Sequence, residues 1–230
     1  MQKSGFTQSS VSTIRVLLAD DHTFIRQCLR GQLEKREDIE IIGEAEDGRI
    51  AVELVRKLLP DIVIMDVSMP NLNGIEATRH IRSEFTHVKV VALSCYCDIV
   101  YIDGMFKAGA SAYMLKDCNS DELVESIRAV NRGEKYLHPK VNQTIINDYN
   151  NLLFEKKYNL LERLSIRERE VLQLLTEGKS AKQIALELHV SVKAIESNRR
   201  RIMEKLDVYS IPKLVKYAIM GGITSLEKYD

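Results

Sequence analysis

The chain predicts an α/β fold followed by an all-α one: an open, doubly wound parallel sheet over residues 14–133, then a helical module over 161–230. Two observations carry this expectation. Short β-rich runs alternate five times with helical patterns across the first half, and strand–helix alternation implies a parallel sheet with right-handed crossovers. From residue 161 onward no such run recurs, and two Ser-x-x-Glu/Gln signatures of helix N-termini appear instead, at Ser165–Glu168 and Ser180–Gln183. A length of 230 residues is enough for two domains, each with its own core.

In chain order, MQKSGFTQSSVST (1–13) lacks the apolar stretch of a secretory signal and reads as a disordered tail. Strands are expected at 14–19, 39–45, 62–66, 89–93 and 112–115, and helices at 23–36, 48–59, 73–83, 98–108 and 120–132. IVIMD and KVVAL are almost wholly apolar, as central strands covered on both faces require. Gly74, Gly104, Gly109 and Gly133 punctuate loops or helix ends. Five such units make a flavodoxin-like, five-stranded parallel sheet. Residues 134–160 form a linker. There Pro139 can start a helix with Val141, Ile145, Ile146, Tyr149 and Leu152 or Leu153 on one side, and a flexible charged hinge follows near Glu155–Tyr158. In the last part Glu177-Gly178-Lys179 ends the first helix and Ser191 caps a third helix that runs to about Leu206. Ser210 and Pro212 start a fourth, which Gly221 and Gly222 stop.

Composition excludes some classes. No run of 18 or more apolar residues exists, so no membrane span is expected and the chain reads as cytoplasmic. Net charge is zero, but residues 1–159 carry a balance of −3 and residues 160–230 one of +3. That asymmetry points to a nucleic-acid partner only in combination with a binding motif. Cys28, Cys95, Cys97 and Cys118 fit no zinc spacing and read as small buried side chains in a reducing compartment, with a redox role for Cys95 or Cys97 as the alternative. The five histidines show no catalytic or metal spacing and read as surface or structural residues.

The chemistry lies where polar residues follow apolar strands: Asp20 and Asp21 after IRVLLA, Asp66 after IVIM, Ser94 after KVVAL, and Lys116 after AYML. In such a sheet the carboxyl ends of the strands line one crevice. Clustered carboxylates repel unless a positive group joins them, and a hard divalent cation with oxygen ligands is the natural guest. Taken singly, an Asp after a strand reads as a helix cap and a loop Lys as a solvated charge. Together the five describe a cation-assisted phosphoryl site, with Asp66 as nucleophile, Asp21 and Asp20 for the metal, and Lys116 and Ser94 for phosphoryl oxygens.

The set LLADDH, IVIMDVSMPNLNG, VVALS and SAYMLKD resembles response-regulator receiver domains of two-component signalling, across essentially all of residues 14–133. The resemblance implies a Mg2+ (or Mn2+) site at Asp20, Asp21, Asp66 and the backbone carbonyl of Ser68. It implies phosphorylation of Asp66 by a cognate histidine kinase or acetyl phosphate, with Ser94 and Tyr113 as a switch pair whose ring moves inward. Ser68 and Tyr96 match positions that tune hydrolysis of the acyl phosphate, and a bulky Tyr96 implies slow self-dephosphorylation. Asp117 stands where many receivers have proline.

LSIREREVLQLLTEGKSAKQIALELHVSVKAIESNRRRIMEKLDV resembles the helix-turn-helix output domain of NarL/FixJ (LuxR-type) regulators. Independently, Ile195, Ile202 and Leu206 fall on one face of the third helix and Lys193, Glu196, Ser197 and Arg200 on the other, a stripe that suits a major groove. The resemblance implies base reading by Glu196, Ser197 and Arg200. Lys182, Lys193, Asn198, Arg199 and Arg201 are the candidates for phosphate contacts, which position the protein without specifying sequence. Ala194 and Asn198 replace the family's usual Thr and His. Leu214, Val215 and Ala218 of the last helix match a dimer-forming element, or else close the helical core. The whole reads as a transcription factor that pairs on inverted-repeat double-stranded DNA when phosphorylated and is not a conventional enzyme. A phosphatase-like or flavin-binding enzyme lacks support, since Asp66-Val-Ser has no second Asp and no Gly-rich phosphate loop occurs. A regulator that ignores phosphate is the alternative.

Overall fold

A single parallel sheet organises the first half of the protein. It is seen in a computed structural model that describes residues 13–152, 161 and 163–224. The expected tail, its last residue excepted, and the hinge near 155–158 lie outside the described residues. The strands are β1 (Ile14–Ala19), β2 (Ile39–Ala45), β3 (Ile62–Asp66), β4 (Lys89–Ser94), β5 (Ala112–Leu115) and β6 (Tyr136–Leu137), in the order β2-β1-β3-β4-β5-β6 with every pairing parallel. The sixth strand corrects the expected five. Its two residues are too few to show a period in sequence, and they pair only because the chain leaving the last helix of the sheet runs back along β5, where the N–H groups of Tyr136 and His138 donate to Ser111 and Tyr113.

Successive side chains of a strand point to opposite faces, and the sheet sorts its core accordingly. Leu17, Ala19, Val63, Met65, Val90, Ala92 and Tyr113 face α2 (Gly48–Leu58), α3 (Gly74–Glu84) and α4 (Ile99–Ala108). Val16, Leu18, Ile62, Ile64, Val91 and Met114 face α1 (Thr23–Leu33) and α5 (Ser120–Asn131). Asn73 and Asp98 stand before α3 and α4 as side-chain N-caps and are not their first helical residues. The linker helix α6 (Pro139–Leu152) buries Val141 against the first of these layers, with Ile145 beside it; the side chains from Ile146 onward lie outside the described residues. The cysteines are not buried as expected: Cys28 and Cys95 are exposed, and Cys97 and Cys118 are half-buried.

The C-terminal module comprises α7 (Ile166–Thr176), α8 (Ala181–Glu187), α9 (Val192–Leu206) and α10 (Ile211–Met220). Both capping boxes form, Ser165 with Glu168 and Ser180 with Gln183, and Ser191 accepts from the Ala194 N–H. Ser210 makes no side-chain cap, and Pro212 in the first turn sets that start instead. His189 takes a positive φ in the turn between α8 and α9. Leu172, Ile184, Leu188, Ile195, Ile202, Leu206 and Leu214 make the core.

The two modules dock through α7 and the loop between β3 and α3. The Asn73 N–H donates to Gln173 Oε1 at 3.0 Å and the Asn73 amide donates to the Ile223 carbonyl at 2.9 Å. His80 and Glu170 meet at 2.7 Å, Arg169 Nε and Glu76 at 2.9 Å, and Lys179 donates to Asn71 at 2.9 Å. Burial raises the Glu170 carboxyl, but hydrogen bonds from His80 and Arg167 outweigh it and hold the group below the usual carboxylate range.

The β3–α3 loop is sterically closed at Gly74, whose N–H donates to the Val67 carbonyl at 3.0 Å while a Cβ at this position would run into the Asp66 carbonyl oxygen. Gly74→Ala is therefore expected to destabilise the protein by about 1–3 kcal/mol, the usual cost of overpacking, as read by urea unfolding.

Candidate functional site

β1 and β3 are neighbours in the sheet, so the residues that end them meet. Asp20 and Asp66 are both buried at the carboxyl edge. Lys116, one residue past β5, reaches across β4 and places Nζ 2.7 Å from Asp20 Oδ2 and 3.0 Å from Asp66 Oδ2. Ser94 ends β4 between them and is fully buried. The crevice thus brings together Asp20, Asp66, Ser94 and Lys116, with Asp21 at its partly open rim.

His22 belongs to the same group, which sequence reasoning missed. Its Nδ1 lies 2.9 Å from Asp21 Oδ1 and 3.3 Å from Asp20 Oδ1, and its backbone N–H donates to Asp20 at 2.8 Å. Adjacency in Asp20-Asp21-His22 was the available signal. Arg26 also escaped notice; it donates to the Asp20 carbonyl at 2.6 Å and so fixes the turn that aims both carboxylates. Potential ligand atoms of Asp20, Asp21, His22 and Asp66 all lie within 4.8 Å of one another. Among the described residues, Asp20 Oδ2 and Asp21 Oδ1 are buried without a well-directed hydrogen bond, although Lys116 Nζ lies 2.7 Å from the first and His22 Nδ1 2.9 Å from the second. Carboxylate oxygens in that condition fit a hard divalent cation. Ser68, two residues beyond Asp66, is half-buried and turns its N–H to Asp66 Oδ1 at 3.4 Å.

Burial pushes the Asp66 carboxyl up to about 6, and the Asp20 charge adds to the rise while Lys116 opposes it. Burial lowers the Lys116 amine, but the two carboxylates more than compensate and hold it above its ordinary value. Tyr113, expected to move inward on activation, is already fully buried; its hydroxyl donates to the Tyr96 carbonyl at 2.8 Å, and burial raises its pKa. Ser94 Oγ accepts from the Tyr96 N–H at 3.0 Å, so the peptide groups of Tyr96 link Ser94 to Tyr113. The Tyr96 ring stacks on Tyr101 with centroids 4.8 Å apart. Asp117 pairs with Lys140 of α6, which fastens the linker to the β5–α5 loop.

On the second module, Ile195, Ile202 and Leu206 are buried and Lys193, Glu196, Ser197 and Arg200 are exposed, as the stripe requires. Lys182 and Arg201 are exposed, and Arg199 is half-buried with Glu196 3.9 Å away. Asn198 spends its amide donor on the Ala194 carbonyl at 3.0 Å, within its own helix, which reduces what it offers a phosphate. Leu214 and Ala218 are fully enclosed in the helical core, so in this conformation neither has surface for a dimer contact; Val215 is half-buried. Interdomain contacts engage α7, the turn before α8, Glu187 and Ile223, and the outward stripe of α9 stays uncovered.

The response regulator receiver domain family matches residues 16–128, and the luxR family of bacterial regulatory proteins matches residues 162–218. The chain is 35% identical over 228 residues to the transcriptional regulatory protein DegU of Brevibacillus brevis, covering 94% of this chain and 97% of that protein. It is 38% identical over 207 residues to the transcriptional regulatory protein LiaR of Bacillus subtilis, covering 89% and 96%. Among solved structures it is similar to the Salmonella typhimurium RcsB response regulator, with a TM-score of 0.58 at 26% identity over 91% of this chain and 99% of that one. An RcsB–DNA complex matches with the same score, identity and coverage.

Because the folded pKa of Asp66 lies above its unfolded value, ionising this carboxyl costs stability: the penalty is absent below about pH 4 and complete above about pH 6. With a chelator present, Asp66→Asn is expected to stabilise the fold by up to about 3 kcal/mol near pH 8 and not at all near pH 4. Urea unfolding at the two pH values checks both the size and the sign.

Proposed function

The chain belongs to the two-component response regulators that join a receiver to a luxR-family DNA-binding domain, and we propose that Asp66 is its phosphoacceptor and that phosphorylation controls how it pairs on DNA. The observation that supports this most directly is Lys116 held between Asp20 and Asp66 in a crevice beside the Ser94 hydroxyl. An Asp66 oxygen attacks phosphorus, and the P–N bond of a kinase phosphohistidine, or the P–O bond of acetyl phosphate, breaks with its electron pair on the leaving group. An acyl phosphate on Asp66 results. Mg2+ or Mn2+, held by Asp20, Asp21, Asp66 and the Ser68 carbonyl, supplies charge neutralisation and Lewis acidity when bound. Lys116 then passes from pairing carboxylates to pairing a phosphoryl oxygen, and Ser94 donates to another, giving up its bond from the Tyr96 N–H. Since the Tyr96 carbonyl also holds Tyr113, that loss is felt along α4 and β5.

The DNA-binding face is α9, with Glu196, Ser197 and Arg200 toward base edges and Lys182, Lys193, Arg199 and Arg201 toward phosphates. Docking of the two domains leaves this face exposed, which supports control through the pairing of two copies. The pairing surface lies on the outer side of α10, where Ile211 is exposed and Val215 half-buried, because Leu214 and Ala218 are turned inward. Two-fold pairing implies an inverted-repeat operator. No helix among the described residues is long and apolar enough to cross a membrane, in keeping with a cytoplasmic regulator.

Intact mass after incubation with magnesium and acetyl phosphate is expected to show one added phosphoryl group on the wild type and none on Asp66→Asn. A folded wild type that gains nothing, even with a cognate kinase, supports the phosphate-independent alternative. On operator DNA, Arg200→Ala is expected to cost about 1–3 kcal/mol and relax preference at one base position, whereas Lys182→Ala weakens all sequences alike and lowers the salt slope by about one.

A further inference from the structure

We infer that Gln173, a residue of the DNA-binding domain, is a positioning residue for the receiver's metal site; the inference rests on the reading of Asp20, Asp21, Asp66 and the Ser68 carbonyl as that site. The loop that carries Ser68 leaves β3 after Asp66 and returns at Gly74. Its own backbone bonds are few: Leu72 N–H to the Pro70 carbonyl at 2.7 Å, and Gly74 N–H to the Val67 carbonyl at 3.0 Å. Asn71 sits in the left-handed region, at φ 64°, which asparagine adopts more readily than most non-glycine residues, so the rest of what fixes this loop is support from outside it.

That support comes from the other domain. The Gln173 side-chain amide spans the turn as a short piece of backbone would: Oε1 accepts from the Asn73 N–H at 3.0 Å, and Nε2 donates to the Met69 carbonyl at 3.3 Å. Gln173, Met69 and Asn73 are all buried, so water does not offer these two backbone groups an alternative. Lys179 adds a grip on Asn71 at 2.9 Å, and Asp47 of the receiver holds the same side chain from the opposite side at 3.0 Å. Ser68 therefore lies between two fixed points, the end of β3 at Asp66 and the clamped peptide at Met69, and its carbonyl direction is restricted from both ends. A carbonyl ligand ordered before the cation arrives spares the site the cost of ordering it afterwards. The coupling is reciprocal: whatever affinity docking adds at the metal site, the metal adds to docking.

The test uses the full-length protein and Mn2+ as probe, with affinity read by electron paramagnetic resonance of free Mn2+. Gln173→Met, close to glutamine in shape but unable to make these two bonds or the one that Nε2 donates to Glu177 at 2.9 Å within α7, is expected to weaken binding about tenfold, the low end for outer-shell partners of metal ligands. Gln173→Glu retains the acceptor for the Asn73 N–H but turns a carboxylate toward the Met69 carbonyl, and is expected to weaken binding at least as much. His80→Ala, which removes the seam contact with Glu170 and touches neither Met69 nor Asn73, is expected to stay within about twofold of wild type. Unchanged affinity in both folded Gln173 variants overturns the proposal, as does a loss in His80→Ala as large as in Gln173→Met, which would assign the effect to docking as a whole. If the wild type itself binds no Mn2+, the metal-site reading fails and the positioning role fails with it.

Discussion

Two carboxylates share one ammonium at the carboxyl edge of the sheet, and much of the molecule is arranged around that contact. Parallel pairing of β1 with β3 forces Asp20 and Asp66 together, a juxtaposition that is unfavourable in a buried crevice without a positive partner. Lys116 answers it from two strands away, which requires β4 and β5 to be in register and Ser94 to lie beneath the reach of the amine. One ammonium against several carboxylates still leaves the crevice net negative. That residual charge is what a divalent cation would balance.

The seam between the domains shows a second constraint. It includes backbone groups, amides and the ion pairs Glu76–Arg169 and Glu170–His80, beside an apolar stretch where Gly222 approaches Val100 and Tyr101. Its buried ion pairs add little net stability, because desolvation offsets the attraction, while removing one partner leaves a buried charge unpaired. A seam of this kind is suited to two states: well defined when made, and cheap to abandon once its polar groups can reach water. Its position matters too, because it grips the loop that follows Asp66 while leaving the outward stripe of α9 exposed.

Most of the first module was legible along the chain. IVIMD and KVVAL announce buried central strands through unbroken apolar character, and each polar residue that ends a strand was placed correctly in the crevice by topology alone. The two Ser-x-x-Glu/Gln boxes, the glycine stops and the apolar face of α9 were legible because their causes are local, acting within a turn or two of helix. β6 was not, since two residues carry no period. His22 was visible only as a neighbour of Asp20 and Asp21; its approach to both carboxylates depends on the turn that Arg26 ties down. The inward orientation of Leu214 and Ala218 was equally hidden, because an apolar stripe on a last helix fits a core and a partner surface alike.

By itself, then, the sequence determined the strand and helix order, the acidic crevice with its lysine, and the outward stripe of α9, because hydrophobic period and strand-end placement are short-range consequences of the chain. Tertiary structure alone decided that Gln173 faces Asn73 and Met69, that Tyr113 is already inside, and that the outward stripe of α9 remains exposed while the domains are docked. Tyr113 is enclosed by packing within the first module, where its hydroxyl meets a carbonyl 17 positions away, whereas Gln173 and Asn73 are 100 positions apart. Nothing in the local pattern of either segment encodes the other, and only the packing of one finished module against the next brings them within hydrogen-bonding distance.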